Sequence, residues 1–233
     1  MLRHLLIIML KSLIALLAIG LIFYASRFLM ANLYAKHVEY ELSSWPNVSN
    51  LSVEHVNKVL VSAQRANRFH PDHPYYLTLE GKVWQWLFLL SNSSDDSTLD
   101  QALILFKQAL ALRPHWANNH ADVVRTKLWL EQIDEEFMLA FERANLYGPM
   151  TAQVHQVLAE AGLLSWAKLD KTLRQATSRH IALGLLNRQS QTEVIRFLNN
   201  QQRLAYGCAL ARNRVKADAT IGEHQLPRVC RRK

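Results

Sequence analysis

Cysteine is nearly absent. Cys208 and Cys230 are the only two in 233 residues, too few for a disulfide framework; one bridge in an oxidising compartment is open to them, but idle or buried thiols are the expectation. Glycine and proline are scarce too, at seven and six, which excludes collagen-like and low-complexity chains. No phosphate loop, G-x-S-x-G elbow or H-E-x-x-H helix occurs, so the short motifs of phosphoryl, acyl and zinc chemistry are missing. The three consecutive carboxylates Asp134, Glu135 and Glu136 suit a solvated helix start better than a catalytic pair in contrasting environments.

Charged residues are sparse between Leu5 and Ala25, LLIIMLKSLIALLAIGLIFYA, where Lys11 is the only one. At about 1.5 Å per residue such a run just spans a hydrocarbon layer of roughly 30 Å. Lys11 can snorkel toward the near interface; alternatively it marks the membrane edge and the span slides to Ser12–Met30, leaving Arg27 to snorkel. A cleaved signal peptide is the rival reading, but the run exceeds a usual signal core and no small-x-small site ends it. The basic residues lean toward a cytoplasmic N-terminus, which in a bacterial chain places the rest in the periplasm. Net charge is +8, and seven basic against two acidic residues lie between Arg212 and Lys233. A basic tail of this kind, with Arg228, Arg231, Arg232 and Lys233, suits anionic lipid or an acidic partner surface. Nucleic acid would need a cytoplasmic topology and is not expected as a partner.

An alanine followed five residues later by a proline ends three helix-like runs: Ala66–Pro71, Ala109–Pro114 and Ala144–Pro149, spaced by 43 and 35 residues. Periods in this range mark stacked helical hairpins. Val56, Val59, Leu60, Ala63 and Ala66 make the apolar face of a first helix, and the two prolines of FHPDHP stop it. A helix with Leu77, Gly81 and Trp84 follows, then a polar loop over Ser91–Ser97. Ser97 with Asp100 fits a capping box that restarts the helix, and Ala102, Phe106 and Ala109 mark its buried side. Residues 117–130 predict another helix, and Asp134 an N-cap for its partner. Further helices are expected over 152–161, with a turn at Gly162, over 164–176 with Trp166 in the apolar stripe, and over 192–210 capped by Ser190 with Glu193.

Ala102, Phe106, Ala109 and Pro114, and then Phe141, Ala144 and Pro149, resemble the second helices of tetratricopeptide repeats; Phe137, where that family has a small residue, and the loop around Ser91–Ser97 depart from it. The order of parts, with the stretch ALALRPHWANNHADVVRTKLWLEQIDEEFMLAFERANLYGP and the later GLLSW, is similar to the VpsP family of bacterial polysaccharide biosynthesis proteins. The resemblance implies an accessory inner-membrane protein beside a polymerase or export complex. It also implies a register in which first helices line a groove, from Tyr75, Thr78, Lys82, Gln85 and Trp86 in one hairpin and Asn118, Arg125, Leu128 and Trp129 in the next.

The expected architecture is therefore all-α: an anchor over 1–30, a juxtamembrane helix and connector over 31–51, a tetratricopeptide-like solenoid over 52–210 and a flexible basic tail over 211–233. His120, Asp122 and Arg125 attract attention as a potential acid–base set, yet residues two apart on a helix point in different directions. His70, Asp72 and His73 lack a recognised ligand spacing. No catalytic residue, metal or cofactor is expected. The expected function is a membrane-tethered scaffold binding envelope polysaccharide-assembly proteins, the alternative being direct binding of the glycan or control of its chain length through the same groove, and a third reading being polymer processing.

Overall fold

A computed structural model describes residues 2–45, 50–91, 96–218 and 220–231. Every regular element among them is helical. The chain divides into two compact units, Met1–Thr98 and Leu99–Lys233.

In the first unit, α1 (Leu2–Ser44) is one unbroken helix of 43 residues. Its large apolar side chains from Leu5 to Tyr24 are all exposed, and it is long and apolar enough to cross a membrane. Beyond that run its character changes. Ala31, Ala35 and Val38 recur at four and three residues and are fully buried against α2 (Val53–Phe69), whose five predicted apolar residues are also buried. Small side chains on both helices let the axes approach closely. The segment after residue 30, expected as a separate juxtamembrane piece, is thus continuous with the apolar run and supplies core to the folded unit; its connector over 46–49 lies outside the described residues.

Ser52 caps α2 by accepting from the His55 backbone N–H at 3.2 Å. A tight turn with Asp72 at φ 59° leads to α3 (Pro74–Leu90), which starts on a proline that needs no hydrogen-bonded N–H there. Trp45, 2% exposed, closes the far end edge-on to Trp86 at 5.6 Å. Its indole donates to Glu41 Oε2 at 3.2 Å, and His55 Nε2 lies 2.8 Å from the same oxygen.

The second unit is built from α4 (Asp96–Leu112), all but its first three residues, and from α5 (Ala117–Trp129), α6 (Glu135–Tyr147), α7 (Ala152–Leu164), α8 (Lys171–Leu186), α9 (Gln191–Asn200) and α10 (Leu204–Ala217). Sequence neighbours α5 and α6, and α7 and α8, pair closely; α5, α7 and α9 also touch side by side, as do α6, α8 and α10. Phe106, Phe137 and Phe141 are fully buried, each contributing roughly 2–3 kcal/mol by leaving water. Asp134 caps α6 as expected, accepting from Phe137 N–H at 3.0 Å.

Several local expectations are corrected. α4 begins at Asp96, so Ser97 lies inside the first turn and not at the cap; the loop before it, over 92–95, lies outside the described residues. Gly162 is no turn. It sits inside α7, where an added Cβ would come within 2.0 Å of Thr177 Oγ1 on α8, so glycine serves close helix approach. Trp166 lies in a short 3-10 turn, Trp166–Lys168, because Asp170 starts α8 by accepting from Leu173 N–H at 2.8 Å. The helix expected over 192–210 is two helices, broken where Gln202 adopts φ 55°. Ser190 makes no side-chain cap; its hydroxyl donates to Gly184 O at 3.0 Å in the interior.

The largest correction concerns the C-terminus. Cys208 and Cys230 are disulfide-bonded, with Cα atoms 5.0 Å apart. Residues 211–217 belong to α10, and the chain then folds back to bury Leu226 and Cys230 beside Ile181, Leu185 and Leu198. Arg212 Nη1 donates to Cys230 O at 3.0 Å, while Arg231 donates to Leu226 O at 3.0 Å and His224 O at 2.8 Å. Through Arg231 this is a pinned strap and not a flexible tail; Arg232 and Lys233 lie outside the described residues.

Candidate functional site

In the first unit α3 carries the predicted groove residues. Tyr75 and Lys82 are half-buried. The Tyr75 hydroxyl is pushed up to about 12 by burial, and further by the charge of Glu39, to which it hydrogen-bonds. Gln85 is only 5% exposed, and half-buried Trp86 lies against Trp45. Gln85 therefore helps build the interior, in contrast to the expectation that it offers contact area, while Trp86 stays partly accessible. Thr78 is buried too, donating to Pro74 O at 3.0 Å.

The second unit keeps more of its predicted surface. On α5, Asn118, Arg125, Leu128 and Trp129 are all half-buried, and spacings of seven, three and one residue hold them to one side of a helix with 3.6 residues per turn. Gln153 of the neighbouring α7 donates to Asn118 O at 3.4 Å and to Asp122 Oδ1 at 2.7 Å. Half-buried Gln156 and Glu160 continue that side along α7. The three α7 residues went unnoticed in the sequence, although Gln153 and Glu160 stand one 35-residue period after Asn118 and Arg125. The resulting face mixes amides, both charge signs and one indole.

No acid–base set assembles at His120. Its ring is 2% exposed, Nε2 donates to Pro114 O at 2.8 Å, and burial lowers its basicity. Asp122 is fully buried, and its neighbour Thr126 donates to the Asp122 carbonyl at 2.8 Å. His70 and His73 pack ring against ring at 4.9 Å, and His73 stacks on Tyr76 at 4.0 Å. No group of three metal-ligating side chains occurs among the described residues.

Two polar clusters around buried side chains escaped the sequence reading. Lys127, its side chain 3% exposed, lies 2.9 Å from both Asp134 and Glu136; Glu136 also holds Lys107 at 2.7 Å. These contacts overcome the desolvation that opposes a buried ammonium, and Lys127 is raised above its ordinary value. The second cluster is a histidine pair. Nδ1 of His155 is 2.9 Å from Nδ1 of His180, and His180 Nε2 is 3.0 Å from Asn145 Oδ1, which also accepts from Arg179. An amide oxygen can only accept, so His180 carries its proton on Nε2 and its Nδ1 accepts from His155 Nδ1–H. Both rings are held neutral, chiefly by burial.

The strap encloses one side of a cavity of about 890 Å³ whose lining includes Leu186, Arg188, Ile195, Arg228 and Arg231. Among the described residues no carboxylate lines it. Arg228 is exposed there, whereas Arg231 spends two donors on the strap's own carbonyls.

Comparison with protein-family models and with curated proteins finds no match for the chain. Fold and surface define an all-α protein with adjacent helices packed in series and one N-terminal apolar helix of membrane-spanning length.

Proposed function

We propose that the protein is a membrane-tethered scaffold whose helical hairpins, of tetratricopeptide type, bind protein partners in the assembly or export of a bacterial surface polysaccharide. The observation that carries the scaffold reading is the shared side of α5 and α7, where Asn118, Arg125, Leu128, Trp129, Gln153, Gln156 and Glu160 stay accessible on helices otherwise packed into the core. An indole among amides and charges of both signs suits a protein surface. The polysaccharide context rests on the resemblance to the VpsP family, and the reading assigns no catalytic step, metal, cofactor or nucleic acid.

A single pass over Leu5–Ala25, with the N-terminus in the cytoplasm and the chain beyond the span in the periplasm, agrees with the Cys208–Cys230 bond, since disulfides persist in oxidising compartments. The Phe28 ring lies edge-on to His70 at 4.5 Å, which favours this register over Ser12–Met30. The longer slide would draw the polar turn at residues 70–73 into hydrocarbon.

The test is co-purification of the full chain, anchor intact, with envelope proteins. Arg125→Glu and Gln156→Arg are expected to abolish recovery of polysaccharide-assembly proteins without changing helicity. If the unaltered chain recovers none, the scaffold reading falls. Direct glycan binding is the second reading, favoured by the partly accessible Trp129 on the same side of α5 as Asn118; heat on titration with the polysaccharide would select it.

A further inference from the structure

We propose that the turn between α2 and α3, with the start of the folded part of α1, is a seat for anionic phospholipid head groups that sets the first unit directly on the bilayer. The inference rests on the reading of Leu5–Ala25 as a membrane span and adds a lipid-binding site to it. The ring contacts locate the seat. Tyr24, at the end of the apolar run, packs edge-on to Phe28 at 4.7 Å, and Phe28 packs edge-on to His70 at 4.5 Å. Phe28 is three residues past Ala25, hence about 4.5 Å along the helix axis, inside a head-group layer roughly 5–7 Å deep. His70 occupies the same level, and the exposed residues Pro71 and Asp72 belong to the same turn.

No hinge allows the unit to stand off. α1 runs unbroken from the apolar segment into the core at Ala31 and Ala35, so the depth of the span sets the depth of the turn. Aromatic packing continues upward: Tyr34 stacks on Phe69 at 5.9 Å, and Arg65 lies over Tyr34 at 5.6 Å from its ring centre. Tyr24, at the end of the apolar run, matches the interfacial preference of amphipathic rings.

The charges favour phosphate. Arg27 on α1 and Arg68 in the last turn of α2 are exposed. Arg65 stands one turn farther out, its guanidinium 3.4 Å from the Tyr34 hydroxyl. Against these, the turn carries one carboxylate, Asp72. α1 has none between Tyr24 and Glu39, and Glu39 is held by Lys36 at 2.7 Å. Glu80 on α3 is occupied by Asn67 Nδ2 at 2.6 Å. The negative end of the α2 dipole and the positive end of α3 lie side by side at the turn and largely cancel, so the side chains decide the sign of the field. Two exposed guanidiniums at head-group depth, each able to bind a phosphate with paired N–H donors, make the site.

The full chain, in vesicles of phosphatidylcholine with phosphatidylglycerol, tests this in two measurements. A nitroxide on Pro71→Cys should show the oxygen and nickel-chelate accessibility of the head-group layer, while one on Lys58→Cys, about 20 Å nearer the outer end of α2, should read as aqueous. Spin-labelled phosphatidylglycerol should also be enriched over phosphatidylcholine at the protein boundary, and Arg27→Gln with Arg68→Gln should lower that enrichment, about fivefold for each arginine at the sites they contact. An aqueous reading at residue 71 in protein that resists carbonate extraction overturns the seat and leaves the anchor standing. Unchanged lipid selectivity in the double variant, with helicity intact, overturns the role of the arginines. Protein released by carbonate overturns the span and the seat together.

Discussion

Acid should weaken the second unit through its histidine pair. His155 and His180 are 1% and 0% exposed, and they are lowered to about 4 and about 3 from an ordinary value of 6.5. Burial is the main cause for both; His155 adds to it for His180, and Arg179 disfavours a positive charge on either ring. Above pH 6.5 both histidines are neutral folded or unfolded, and the stability they permit is fully present. As pH falls below 6.5 the unfolded chain takes up two protons that the folded pair refuses, so stability is lost until the folded pair itself protonates between about 4 and 3. One pKa unit corresponds to about 1.4 kcal/mol, so each histidine costs about 2 kcal/mol at pH 5 and the pair about 4 kcal/mol. That is a large share of the roughly 5–15 kcal/mol that holds a domain together. The assay is urea unfolding of the full chain in detergent micelles at pH 7.5 and 5.0, comparing the natural protein with His155→Gln/His180→Gln. Other groups titrate equally in both proteins, so the difference in pH dependence belongs to the pair. The variant should lose about 4 kcal/mol less than the natural protein over that interval. Equal losses would refute the buried neutral pair.

Two further predictions concern the same unit. Gly162→Ala drives a methyl within 2.0 Å of Thr177 Oγ1 and 2.8 Å of Thr177 Cβ, and overpacking of that kind should cost about 1–3 kcal/mol or more, read as a lower Tm; Gly20→Ala, with nothing within 4 Å of its added Cβ, should leave the Tm unchanged. Cys208→Ser with Cys230→Ser opens a loop of sequence separation 22. The chain-entropy relation puts the loss near 3 kcal/mol, and the natural protein should show no titratable thiol until it is reduced.

Much of the all-helical architecture was legible because apolar residues at intervals of three and four survive any detail of packing. The residues marked on α2 are those its neighbours bury, and Asp134 caps α6 because an N-cap bond depends on residues three apart. The accessible side of α5 and α7 was legible only where the period was followed. Asn118, Arg125, Leu128 and Trp129 remain accessible; Gln153 and Glu160 were missed by stopping one period short. Gln85 went wrong for another reason. It is buried in a unit whose core also takes Ala31, Ala35, Val38 and Trp45 from a segment expected only as a juxtamembrane helix and connector.

The sequence by itself determined the apolar N-terminal run, the scarcity of strand and turn breakers, the hairpin period and the local helix starts, since all of these are set by residues within one or two turns of one another. Only tertiary structure decided what depends on distant neighbours. Gly162 is needed for the approach of Thr177, fifteen positions away; His155 and His180 become neutral partners because α7 and α8 dry them between each other; and two cysteines that looked idle become a bond when the chain beyond α10 folds back. Burial, close approach and covalent pairing are properties of three-dimensional proximity, and periodicity along a chain carries no direct record of them.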